Sequence, residues 1–432
     1  MKEDFLHYLW KFKKFDSTDL KTFNGEDITI IHLGQYLQMA GPDFFNAQII
    51  IDNQKWAGNV EIHLKSSDWY LHRHEQDAAY DNTILHVVWE HDAEVFRADN
   101  SVIPVLEIQN YVANEAIANY ESLVAAKSWI FCERQLSSID DFIFKNWMER
   151  LFFERLEKKA ETIAQLLTKN GNDWEATLFC LLAKNFGLNT NGDAFFRIAA
   201  SIPFDVIRKE RSELENLEAL FFGRAGLLEE EKEDVYFKYL KSSYEFLSYK
   251  YGLAAFHVEP VQFFKHRPDN FPTIRLAQLA QLYHTTHHLF SDSIEAETIG
   301  AYYDLFQVDL SGYWQSHYQF DKVSPKKRKP LTKPFIDLLL VNTIIPMRFA
   351  YAKSLGKDIS ETLSGFISAI PPEKNAVIDK FASFSMKAKN AFETQALLQL
   401  KNDYCNKSRC LECAIGMELL KPQNFVTLNH KP

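Results

Sequence analysis

The sequence predicts an α/β domain in its first quarter and a larger, mainly α-helical body behind it. Two observations carry this. Apolar, β-branched runs bounded by turn residues fill residues 28–111, after one short stretch of helical spacing. From residue 113 onward the apolar period becomes that of amphipathic helices with short Gly- or Pro-marked joints. At 432 residues, 46% hydrophobic and 14% aromatic with 35 Phe, the chain has the apolar surface to fill two or three cores. The expected domains are 1–112 and 113–432.

In order, DFLHYLWKFKK (4–14) places Phe5, Leu6, Leu9, Trp10 and Phe12 at helical spacing. After Asn24–Gly25, ITIIHLG (28–34) predicts a strand. Gly41–Pro42 breaks the chain before a second, DFFNAQIIID (43–52), and Asn53–Gln54 turns into a third, KWAGNVEIHLK (55–65). The polar residues 71–81 predict a helix, and TILHVVWEHD (83–92) and IPVLEIQNY (103–111) predict strands. The order helix, three strands, helix, strand makes an αβββαβ unit. Helical periods follow at 146–167, 174–187, 215–228, 234–251, 273–290, 334–345 and 388–401.

No stretch reaches the roughly 18 uninterrupted apolar residues of a membrane span. The N-terminal MKEDFLHYLWKF mixes acids into its apolar positions, unlike a signal peptide. Five cysteines, an odd number, argue against a disulfide framework, so a cytoplasmic protein without a membrane partner is expected. Residues 1–110 carry nine Lys+Arg against eighteen Asp+Glu, and half of the fourteen histidines lie in residues 1–91. An acidic, histidine-rich domain suits a cation site better than a phosphate-binding surface. No Gly-rich phosphate loop is present, so ATP use is not expected. The oligomeric state stays open.

The informative stretch is GPDFFNAQIIIDNQKWAGNVEIHLKSSDW. Residues two apart on a strand point the same way, so Glu61, His63 and Lys65 share a face. If 43–52 and 55–65 form a hairpin, Asp43 comes near the far end of its partner. Asp43 and Glu61 could then converge on Mg²⁺ or Mn²⁺, which takes carboxylate oxygens and waters and activates a water for phosphodiester attack. Here the stretch resembles the PD-(D/E)XK nuclease superfamily over residues 1–112. Pro42–Asp43 matches its leading PD, and Glu61–Ile62–His63 stands where its (D/E)XK belongs. The resemblance implies an αβββαβ nuclease core, with Asp43 and Glu61 as metal ligands and nucleic acid as the partner. It departs from the pattern in that His63 occupies the lysine position. Lys65, one strand repeat on, can reach in as a migrated lysine, or His63 itself orients the water, or the site is inactive.

A wider resemblance runs through GPDF, the WxGxVEIHxxSSDW run (Trp56, Gly58, Glu61, His63, Asp68, Trp69), LHVVWEHD and RPDNFPTIRLAQLA. These are similar to an uncharacterised bacterial family known only as a domain of unknown function.

Other readings remain. His72, His74, His86 and His91 surround the same region, with Asp68, Asp77 and Asp92. An HxH pair on an extended segment puts two imidazoles on one face, and a carboxylate completes a Zn²⁺ site, which predicts a zinc or manganese hydrolase acting on something other than nucleic acid. Convergence of Asp43, Glu61 and Lys65 favours the nuclease; convergence of His72, His74 and His86 favours the zinc enzyme. A non-catalytic scaffold is the third reading, favoured if Asp43 and Glu61 point apart.

At the other end, YCNKSRCLECAIG gives Cys405-x₄-Cys410-x₂-Cys413. Three thiolates so close suit Zn²⁺ or an iron–sulfur cluster, with Cys132 as the candidate fourth ligand clasping the two ends of the chain. This resembles iron–sulfur nucleases in which distant cysteines pin a PD-(D/E)XK domain, with a different order and spacing. Cys180, within an apolar run, reads as core. FFKHRPDNFPTIR (263–275) either lines a phosphate channel through Arg267 and Arg275 or is an ordered loop paired with the acidic domain; the second is preferred. SPKKRKP (324–330) reads as a solvated loop.

Overall fold

Helix α1 (Glu3–Lys11) turns Phe5, Leu6, Leu9 and Trp10 inward, and acids in its first turn with Lys11 in its last suit the helix dipole. Its apolar face packs with Ile49, Val60, Ile62, Leu85, Val87 and Leu106 of a mixed sheet. The computed structural model describes residues 2–36, 41–124, 128–254, 260–264, 266–310 and 312–421.

The strands are β1 (Leu20–Lys21), β2 (Asp27–His32), β3 (Gln35–Tyr36), β4 (Phe44–Ile51), β5 (Gln54–Lys65), β6 (Thr83–Glu90) and β7 (Val105–Glu107). Their spatial order is β1-β2-β4-β5-β6-β7, with β3 beside β4. Strands β2, β4 and β5 form an antiparallel meander, and β6 and β7 continue it in parallel. Ile51 pairs with Gln54 across Asp52–Asn53, both with positive φ (47° and 69°), a two-residue turn that matches the twist of its strands. The turn thus falls one residue earlier than Asn53–Gln54. A register shift lies between Phe44 and Ala47, where Asn46 is left-handed at φ 58°. Such a bulge bends the strand where it leaves the sheet at Asp43.

Gly58 is fixed by a close approach: a Cβ there would lie 2.5 Å from the Asn82 carbonyl oxygen. The β5–β6 crossover is one short helix, α2 (Asp68–Leu71), and two 3₁₀ turns, instead of the single helix expected over 71–81. The reason is local: Arg73 adopts φ 62°, which a continuing helix does not allow.

The chain divides into two units, and the boundary is not at 112. The first comprises Met1–Trp147, Ser383–Ser385 and Leu400–Pro432. Helix α3 (Asn114–Val124) belongs to it, with Tyr120 stacked 4.2 Å from Phe5, and the C-terminal Leu420 is buried in the same core. Apolar side chains on both segments face the sheet domain, so a cut at 112 would expose them.

The second unit, Met148–Ala382 with Met386–Gln399, is helical as predicted. Its core gathers Phe179, Phe186, Phe195, Phe221, Phe222, Tyr283 and Trp314. Lys333–Ser354 is the one described helix long and apolar enough to cross a membrane, and 67% of its most apolar window is buried within the protein. The basic loops are used structurally inside this unit. Arg275 is buried, stacks 3.6 Å over Phe335 and donates to Gln278 and Asn270, so it is not a partner for the acidic domain. Lys327 and Arg328 pair with Asp269 and Asp309, and Lys329 donates to the carbonyls of Trp314 and His317. The SPKKRKP run is therefore a tied loop.

Glu218 is fully buried here, accepting from Tyr236 Oη (2.7 Å) and Trp314 Nε1 (2.9 Å). Burial pushes its carboxyl up from 4.5 to about 7 against the pull of these two donors. The folded chain thus keeps a proton that the unfolded chain releases above pH 4.5. Stability falls as pH rises from 4.5 to about 7, by at most about 3 kcal/mol, and is level on either side. Melting curves of wild type and Glu218→Gln should converge or cross over this window; a pH-independent gap between them would show that another group titrates.

Candidate metal centre

Glu61 and His63 sit two apart on β5 and Glu61 pairs with His86 on β6, so the three side chains share a sheet face. All are buried: Glu61 is 5%, His63 1% and His86 0% exposed. His63 Nδ1 lies 2.8 Å from His86 Nε2, and His63 Nε2 lies 3.0 Å from His72 Nδ1. Glu61 Oε1 is 3.6 Å from His63 Nε2 and 3.3 Å from His74 Nε2. Left-handed Arg73 swings His72 and His74 back over the sheet, so they converge through a turn and not along an extended segment. Trp69 and Tyr80 wall the site, with Tyr80 stacked 3.8 Å from His74. His72 is exposed and keeps one side open.

The other Glu61 oxygen, Oε2, accepts the Asp43 N–H at 3.1 Å. Beyond Phe44 the meander stops pairing, and Asp43 Oδ2 takes the N–H of Ile62 at 3.0 Å. The same oxygen is 3.2 Å from His7 Nε2, which is 3.7 Å from Glu3 Oε1. Two donor sets thus flank Glu61. In His63–His72–His74 and in Glu3–His7–Asp43 the donor atoms all lie within 4.8 Å of one another.

The electrostatics follow from crowding. Burial, reinforced by the Asp43 charge, raises the Glu61 carboxyl far above the usual carboxylate range. Burial and the neighbouring imidazoles push His63 down to about 2, and burial pushes His86 down to about 3. At His7 burial is outweighed by the Asp43 and Glu3 carboxylates, and its pKa rises. Neutral imidazoles beside a strained carboxylate suit a divalent cation. Four donors bound tetrahedrally at about 2.0–2.1 Å lie about 3.4 Å apart. Three of the six distances among the donors of Glu61, His63, His72 and His74 are 3.0, 3.3 and 3.6 Å, and the three imidazole donors lie within 4.8 Å of one another. His74 Nε2, though 3.3 Å from Glu61, is buried with no hydrogen-bond partner. His63 is held between His86 on its Nδ1 side and His72 on its Nε2 side, and a cation at Nε2 would replace the His72 contact.

Asp43, Glu61 and His63 are therefore brought together, along with His72, His74 and His86. Lys65 is not: half exposed, it pairs with Glu90 (3.3 Å) and Asp92 (3.9 Å). His91 bonds Ser66 outside the set, and Asp68, Asp77 and Asp92 accept from backbone N–H groups. Sequence reasoning missed Glu3 and His7. The signal was present, since residues four apart share one helix face and here it is the polar face of α1.

Cys132, Cys405, Cys410 and Cys413 line one small cavity in the first unit, while Cys180 is buried in the helical unit. Burial raises the Cys132 and Cys410 thiols to about 12.

A family model described as a protein of unknown function, DUF2851, matches residues 3–376. No curated protein and no solved structure matches the chain.

Mn²⁺ suits the nitrogen–oxygen donors and not the thiols, so it probes this centre selectively. Titrated into full-length protein and followed by electron paramagnetic resonance, it should bind, and Glu61→Gln or His63→Ala should weaken binding at least about tenfold. Unchanged affinity in both variants would remove these residues from the centre.

Proposed function

The chain belongs to the DUF2851 family, and for it we propose a metal-dependent hydrolase acting on phosphodiesters, with its centre at Glu61. The observation that carries this is the Glu61 carboxylate, buried with one oxygen facing two histidines and the other beside Asp43.

In this reading Glu61, His63, His72 and His74 hold one cation, zinc or manganese, and Asp43, with His7 and Glu3, offers a second set for manganese or magnesium. Such a cation supplies a hydroxide at neutral pH and neutralises charge building on the phosphoryl oxygens. His86 fixes the His63 tautomer. The wall of Trp69 and Tyr80 keeps water out, and the open side at His72 admits substrate.

Two features support the phosphodiester class. The order of helix, three-stranded meander, crossover and parallel strand resembles that of the αβββαβ PD-(D/E)XK core, with Glu61 on the third strand of the meander and Asp43 just before its second. A cavity of about 480 Å³ bordering His7 is lined by Lys2, Lys11, Lys407 and Arg409 together with Asp4, Glu412 and aromatic neighbours. Arg409 and Lys407 are paired with Glu412 and Asp403, which leaves Lys2 and Lys11 as the cations it offers a phosphate. Because Lys65 is turned away, the charge-stabilising role falls to cations and histidines.

The test is cleavage of bis(p-nitrophenyl) phosphate and of end-labelled single- and double-stranded oligonucleotides with Mn²⁺, Mg²⁺ or Zn²⁺. Asp43→Asn, Glu61→Gln and His63→Ala should each lose about 10²-fold or more, whereas Lys65→Ala should stay within about threefold because its ion pairs are exposed. A wild type that binds Mn²⁺ yet cleaves none of these substrates would overturn the phosphodiester assignment.

A further inference from the structure

We propose that Cys132, Cys405, Cys410 and Cys413 together ligate one soft metal centre, a zinc ion or an iron–sulfur cluster, that clamps the C-terminal segment 400–421 onto the first unit. The inference is independent of the hydrolase reading.

Four of the five cysteines converge on one cavity although Cys132 and Cys405 stand 273 positions apart (405 − 132). The remaining lining is Phe131, Leu400, Tyr404, Ile415 and Gly416. The cavity volume of about 20 Å³ would hold about one water, but so apolar a lining gives a water few of the partners it needs. Four cysteines lining an otherwise apolar space match the ligand number of a zinc tetrathiolate or a Cys₄ cluster; no three of their sulfurs lie within 4.8 Å of one another, so a zinc ion would have to draw them together.

The backbone is built for the same purpose. A Cβ on Gly416 would lie 2.1 Å from the Cys410 carbonyl oxygen, so the Cys410 turn and the helix after Cys413 stack with no room for a side chain. The backbone N–H groups of Ile415 and Gly416, at the start of the helix after Cys413, lie beside its sulfur. N–H groups beside a sulfur belong to the shell around a thiolate-bound metal.

The segments bearing these cysteines are joined elsewhere as well. Lys401 donates to the Trp129 carbonyl at 2.8 Å and stands 4.3 Å over its ring, and Tyr404 packs edge-on to Trp147 at 5.2 Å. The loop between Cys405 and Cys410 carries Lys407 and Arg409 to the cleft beside His7. The metal therefore holds in place part of the lining of that cleft.

Full-length protein, purified anaerobically, should contain zinc at about one per chain, or iron with acid-labile sulfide and broad visible absorption. Zinc assigns the tetrathiolate and iron with sulfide the cluster; either supports the centre. Cys132→Ser and Cys410→Ser should each lose the metal while Cys180→Ser keeps it. A cooperative melting transition by circular dichroism serves as the check that a metal-free variant is folded. Removing the metal should speed tryptic cleavage at Lys407 and Arg409 at least about tenfold. Neither metal after reconstitution with zinc or with iron and sulfide would overturn the proposal. So would metal retained in the Cys132→Ser, Cys410→Ser double variant, or cleavage at the same rate with and without it.

Discussion

The first unit is organised around Glu61, a buried carboxyl that burial and the Asp43 charge hold toward its protonated form. Glu61 lies in the middle of a sheet, 5% exposed, where an isolated carboxylate is costly. Among the described residues no lysine or arginine pairs with it; its neighbours are imidazoles and the Asp43 N–H. A chain that needed only a stable core would place an apolar residue there, since unpaired buried charge destabilises. The position makes sense if a cation completes it. The surrounding features then share one purpose: His86 behind His63, the left-handed Arg73 between His72 and His74, and the bulge that frees Asp43 from β4. Backbone strain and buried polar groups collect where function requires them.

Sheet parity makes this arrangement possible. The two-residue turn at Asp52–Asn53 fixes the register of β4 against β5, and a slip of one residue would turn Val60 and Ile62 out of the core and Glu61 and His63 into it. Helix α1 packs on the Val60 and Ile62 side, and its polar edge brings His7 and Glu3 to Asp43 at the end of the strand. One carboxylate can therefore be approached from both directions, by the crossover histidines and by the helix.

Much of this was legible from residue pattern. Alternation in KWAGNVEIHLK put Glu61 and His63 on one face, and β-branched runs located the long strands to within about two residues. The positions that escaped depend on geometry with no local signature. Lys65 shares the face of Glu61, but at the strand's exposed end Glu90 and Asp92 on the parallel neighbour capture it. His72 and His74 looked like an extended pair, because a left-handed arginine carries no sequence mark as a glycine would. His7 is in the sequence of α1, but its partner Asp43 is thirty-six residues away (43 − 7), and helical periodicity says nothing about what a polar face meets. The domain boundary at 112 failed for a related reason. Composition changes there, whereas cores are assembled from whatever apolar faces remain, and Tyr120, Phe131 and Leu420 complete the core of the sheet domain.

The two metal sites proposed for this unit raise the question of how each would obtain its own ion. Ligand type answers part of it. Four thiolates prefer soft or borderline metals and reject magnesium and manganese, so the cysteine cavity is not a competitor for a hard cation. The reverse protection is weaker, because three imidazoles and a carboxylate bind zinc more tightly than manganese by the Irving–Williams order. The ion at Glu61 is then decided by supply and by geometry. A tetrahedral set of His63, His72, His74 and Glu61 favours zinc, while a centre that also recruits Asp43 and waters moves toward the higher coordination of manganese or magnesium. Glu61, with one oxygen toward each set, is the residue on which that choice turns. Its raised proton affinity means that either ion must first displace a proton, so occupancy rises with pH whichever metal wins.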